Sequence, residues 1–112
     1  MRLIHNDPKE LVERGLEQLR DLMEGGADLA SPRMAVHGFS GDADALEALG
    51  YALRQSGYQV EPVEDGELTA RAYGIVDEPW LREAMLILCR VADRFSVQYD
   101  GWSAPDDPKV VN

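Results

Sequence analysis

Between Arg33 and Tyr99 the hydrophobic pattern switches period four times, and that order of switches leaves few folds open. "RMAVHGF", from Arg33, alternates as a strand of about six residues. "SGDADALEALGYALRQSG" follows at helical spacing, with Leu46, Leu49 and Leu53 as its stripe, Ser40 or Asp42 as its cap and Gly57 as its stop. "YQVEPV" is extended again, with Tyr58 and Val60 on one side and Pro62 near its end, where a missing N–H is tolerated. "EDG" turns the chain into "ELTARAYGIV", a strand antiparallel to the last by hairpin logic. "DEPWLREAMLILCRVADRF" is then a helix capped by Asp77, with Leu81, Ala84, Met85, Leu88, Ala92 and Phe95 as its core stripe, and "SVQY" is a fourth strand.

Strand-helix-strand twice over, joined by a hairpin, predicts an α+β protein. Two right-handed split βαβ units give a ferredoxin-like βαββαβ sandwich, with a four-stranded antiparallel sheet and two helices on one face. Ahead of it, "NDPKELVERGLEQLRDLMEGG" adds an N-terminal helix with Asp7 as cap, Pro8 in the first turn, Val12, Leu16, Leu19 and Met23 as its stripe, and Gly25-Gly26 as its stop. Met34 and Val36 alternate with Ala35 and Phe39, so the first strand reads as covered, at least partly, on both faces. The added helix is therefore expected on the sheet's open side or its rim. Gly50 in mid-helix suggests that another backbone approaches there. The expected organisation is a single domain over 1–112: helix 7–25, core 33–101 and an irregular tail 102–112, with the Asp100-Gly101 turn releasing the chain from its last strand.

Charge narrows the function. Twenty-one acidic residues against 11 Lys and Arg give a net charge of −10, the wrong sign for tracking phosphates, so direct nucleic-acid binding is disfavoured. Such a balance serves solubility in many proteins; it also draws in cationic partners. The longest apolar run is about six residues against the roughly 20 of a membrane helix, and "MRLIHNDPKE" carries no secretory stretch. One cysteine, Cys89, excludes an intramolecular disulfide. A cytoplasmic protein without cofactor or metal is expected.

Groups for catalysis are scarce. His5 lies near the terminus and His37 sits in the first strand, where a lone histidine is usually packed or hydrogen-bonded. "HGFSGDAD" has two glycines but fits no phosphate-binding spacing, and Cys89 among apolar neighbours stays protonated. The acids cluster instead: Glu61, Glu64, Asp65 and Glu67 about the hairpin, Asp77, Glu78 and Glu83 at a helix start, and Asp100, Asp106 and Asp107 near the end. Trp102 and Trp80 are each either a plug against the sheet or an amphipathic anchor for a partner.

"VADRFSVQYDGW" after a capped helix, with "HGFSGDADALEAL" and "SGYQV" upstream and a leading helix ending "LMEGGAD", resembles the regulators of ribonuclease E activity of the B type (RraB) from about Leu11 to Trp102. The resemblance implies a ferredoxin-like fold with an extra N-terminal helix. It also implies a small acidic bacterial inhibitor that binds the nuclease's arginine-rich scaffold region. Departures are Ser103 where a glycine usually follows the Trp, Gly38 where a second histidine often follows the first, and only Asp106 and Asp107 where a long acidic extension can stand.

The first expectation is thus a non-enzymatic regulator of a ribonuclease E-like enzyme. Tyr99 and Trp102 would be its ring contacts, with Asp100, Glu64, Asp65 and Glu67 as the charged rim and a basic arginine-rich protein segment as partner. A small-molecule or sensory module with His37 and Tyr73 lining a pocket is the alternative, as is an immunity-type protein that neutralises a basic toxin.

Overall fold

A computed structural model describes residues 6–105 of the chain. Its elements are α1 (Pro8–Glu24), β1 (Arg33–Ser40), α2 (Ala43–Gln55), β2 (Gln59–Val60), β3 (Glu67–Gly74), α3 (Glu78–Arg94) and β4 (Gln98–Ser103). The four strands form one antiparallel sheet in the order β2-β3-β1-β4. The protein is therefore α+β, and its described residues form three helices and a four-stranded antiparallel sheet.

Local chemistry explains the boundaries. The carboxylates of Asp7, Asp42 and Asp77 each accept backbone N–H groups that the first turn of a helix leaves unpaired. Asp65 and Gly66, with φ of 53° and 73°, form the two-residue loop between the Glu64 and Glu67 pair, a turn whose twist matches that of the strands. Ser96, also left-handed at φ 59°, closes α3, and the N–H of Val97 returns to the carbonyl of Ala92. Ser96 and Val97 thus finish the helix, and the last strand begins only at Gln98.

One face of the sheet carries the core. Ala35, His37 and Phe39 of β1 and Leu68 and Ala70 of β3 are all 2 % exposed or less, and they meet Leu46, Leu49 and Leu53 of α2 and Leu81, Met85 and Leu88 of α3. Each such leucine, fully buried, contributes on the order of 1.5–3 kcal/mol. The opposite face, with Met34, Val36 and Gly38 on β1 beside Tyr73, Arg71 and Thr69 on β3, is only half-buried, and Tyr73 is 69 % exposed. β1 is thus fully covered on one face and only partly on the other, and α1 does not lie across that open side.

Instead α1 lies on α3 and the rim beside β4. Leu11, Gly15 and Leu19 are its buried positions. A Cβ at Gly15 would fall 2.4 Å from Cδ1 of Leu81, so the two helices meet at a glycine that only a missing side chain permits. Gly50 plays a milder part, 3.3 Å (as an added Cβ) from Cγ1 of Val60 and 3.5 Å from Cδ1 of Leu68. Side chains, rather than the backbone anticipated, approach it.

Candidate functional site

Two features stand out: an aromatic cluster inside the molecule and an acidic end outside it. The first is organised by β4. Phe39 faces Tyr99 and Gly38 faces Gly101 across the β1–β4 ladder, so Asp100 is an extra residue, a β-bulge with Gly101 at φ +117°. The Asp-Gly dipeptide is therefore not a turn, and β4 continues through it to Ser103. Skipping one residue brings Tyr99 and Trp102, which would otherwise point to opposite faces, to the same buried side, 3 % and 7 % exposed. Both rings expected as partner contacts are sealed inside, and Trp102 is a plug.

Around them the rings interlock. Trp102 meets Trp80 edge-on at 5.1 Å, Tyr99 lies 5.1 Å from Phe39, and His37 is about 6 Å from each of Tyr58, Trp80 and Tyr99. Nε1 of Trp102 is buried and has no hydrogen-bond partner among the described residues, so packing holds that ring. Nδ1 of His37 shares a 2.8 Å hydrogen bond with the Tyr99 hydroxyl. Burial holds the imidazole neutral, down to about 4, and pushes the phenols of Tyr99 and Tyr58 upward. Burial, with Asp93 and Asp7 adding negative charge, pushes the Cys89 thiol up to about 11. These are poor tools for proton transfer or nucleophilic attack at neutral pH. His37 and Tyr73 cannot line a common pocket, because the β1–β3 register and strand alternation place them on opposite faces.

The free edge of β4 is closed by amides from the N-terminal segment, a role the sequence pattern did not reveal. Oδ1 of Asn6 accepts from Tyr99 N at 2.8 Å, while its Nδ2 donates to Asp93 Oδ1 and to the Val97 carbonyl. Gln18 Nε2 donates to the carbonyl of Trp102 at 2.8 Å. Unpaired groups on an edge strand are thereby covered without another strand.

The acidic end comes from topology. Ser40, the last residue of β1, faces Glu67 on one side and Gln98 on the other. Asp100 accepts from Ser40 Oγ and Gln98 Nε2, both at 3.1 Å, which keeps its carboxylate at this end of the sheet. Two strand spacings, about 10 Å, therefore separate the strands of Asp100 and Glu67. The hairpin adds Glu64 and Asp65, and Gly41 N donates to Gly66 O, tying the start of α2, with Asp42 and Asp44, beside them. All of these carboxylate residues are exposed, and among the described residues none has an ion-pair partner. Glu61 and Glu78, by contrast, are paired with Arg71 and Arg82. Asp42 and Asp44 were legible only as helix-start residues. His5, Asp106 and Asp107 lie outside the described residues.

Among the described residues no group of three or more His, Cys, Asp or Glu side chains could hold a metal, and no helix is long and apolar enough to cross a membrane. What the molecule presents is a helix-backed antiparallel sheet with His37 and Tyr99 sealed and a group of exposed carboxylates, without ion-pair partners among the described residues, at one end. That defines an α+β protein whose accessible chemistry is negative charge. Residues 16–104 match the family model described as "Regulator of ribonuclease activity B", and the chain belongs to this RraB family. A search of curated proteins finds no match. The family description is of a regulator rather than a catalyst, and regulation of a ribonuclease implies a protein partner.

Proposed function

We propose that this chain is a non-enzymatic, cytoplasmic bacterial regulator that restrains a ribonuclease E-like enzyme by holding a basic, arginine-rich segment of it against the acidic end. The scaffold is read as a single ferredoxin-like domain with an added N-terminal helix. The strand order β2-β3-β1-β4 supports this, because two interlocked split βαβ units generate it. The observation that carries the function is the gathering of Glu64, Asp65, Glu67 and Asp100 at one end without ion-pair partners among the described residues, in a chain of the RraB family. An exposed ion pair contributes only about 0–1 kcal/mol, so several must act together, and they compete with RNA phosphates for the same arginines. Tyr99 and Trp102 serve this surface from beneath, by packing the strand that carries Asp100.

Pull-down with the nuclease's arginine-rich region at low and at moderate salt tests the reading. Binding at low salt that weakens as salt rises is expected, because surface charge is screened. No binding at either salt concentration rules that target out.

A further inference from the structure

The sheet face that no described helix covers is not uniform. At one end stand Glu67 and Asp100; at the other, Met34 faces Tyr73, which is 69 % exposed, with Ile75 just beyond at 39 %, and Val36 faces Arg71, whose charge is paired with Glu61. Between them the floor is low, since Gly38 of β1 faces Gly101 of β4 and an added Cβ at Gly38 would meet only Asp100, at 3.9 Å. The helices pack on the other face, through Leu68, His37 and their neighbours. Charge at one end and apolar surface at the other do not suit a uniformly basic partner.

From this gradient we infer that the open sheet face is the docking surface and that its occupant is an extended protein segment of mixed character. The segment carries arginines at one end and a large apolar side chain about six residues away. The spacing follows from β3: Glu67 and Tyr73 share a face and lie six residues apart, a rise of about 20 Å. In an extended ligand an even spacing also sets both side chains toward the sheet. Arginines at that end find carboxylates that have no ion-pair partner among the described residues, and the apolar residue covers Tyr73, Met34 and Val36. This inference rests on the reading above for its basic partner and adds the apolar anchor, the face and the spacing.

Two labelled peptides of about twelve residues test it by fluorescence anisotropy. One carries three arginines and a leucine six residues from them; the other has serine for that leucine. Wild-type protein is expected to bind the leucine peptide about fivefold or more tightly than the serine peptide, and Tyr73→Ser is expected to bind both alike. Val36→Thr, which keeps the side-chain shape, is expected to narrow the difference as well. Equal binding of both peptides to wild type overturns the inference while leaving the arginine-binding function standing, as does unchanged discrimination by both variants. Binding of neither peptide at low salt overturns the inference and the proposed function together.

Discussion

Tyr99 and Trp102 lie three residues apart on one strand, yet both rings point into the same core, because Asp100 is bulged out of the ladder with β1. Ordinary alternation would have put one indole or one phenol in solvent. The bulge buries both and leaves the Asp100 carboxylate outside at the acidic end. Interior packing and exterior charge thus share one irregularity.

That irregularity depends on Gly101 at φ +117°, where any other residue is strained. Gly101→Ala is expected to cost about 1–3 kcal/mol and to alter the tryptophan environment. Urea unfolding followed by fluorescence measures both. A variant as stable as wild type would show that the ladder accepts a different register.

Burial of His37 makes stability depend on pH. Its imidazole titrates near 4 in the folded protein and near 6.5 when exposed, so the unfolded chain binds the proton first. The contribution is complete above about pH 6.5, falls by about 1.4 kcal/mol per pH unit as the pH drops toward 4, and levels below that. His37→Phe should flatten this part of the profile. It should also cost about 1–3 kcal/mol at pH 7, since the Tyr99 hydroxyl loses its partner. Denaturation midpoints across that range, compared between the two proteins, decide the matter.

Asn6, 5 % exposed, satisfies Tyr99 N and the Val97 carbonyl at once. Asn6→Ala strands both, and a loss of about 2 kcal/mol is expected, with faster hydrogen exchange at the Tyr99 amide. Unchanged exchange there would mean that the edge of β4 is protected by something else.

Neutralising the acidic end should leave the fold alone. Glu64→Gln, Asp65→Asn, Glu67→Gln and Asp100→Asn together remove like charges that form no ion pair among the described residues, so stability should change by no more than about 0.5 kcal/mol per site or rise. Binding of the arginine-rich segment should fall tenfold or more. A large loss of stability would assign these carboxylates a structural task instead.

Cys89 should be inert in the native state. It is 1 % exposed and its thiol titrates near 11, so a thiol reagent at pH 8 should react only as fast as the protein opens. Rapid modification without denaturant would contradict the burial.

The elements themselves were legible because period and caps are local. Asp7, Asp42 and Asp77 precede their helices in the chain, and Leu46, Leu49 and Leu53 mark a buried face without reference to anything distant. The acids were visible one by one for the same reason. The fate of Trp102 was not, since "YDGW" reads equally as an exit turn or as a bulged strand until β1 supplies the ladder against which one residue is extra. Gly15 gave no sign of its importance, because its neighbour Leu81 lies on another helix.

Composition, periodicity and capping, each a property of neighbouring residues, determined that this chain is acidic and alternates between helix and strand in one order, while the motif "VADRFSVQYDGW" and its companions carried the resemblance to RraB. Only the folded sheet decided that Asp100 stands beside the hairpin acids, that α1 guards an edge rather than a face, and that a charged end and an apolar end share one uncovered surface. Those are relations across hydrogen-bonded strands. They depend on which residues face one another, and a chain does not record that until register is set.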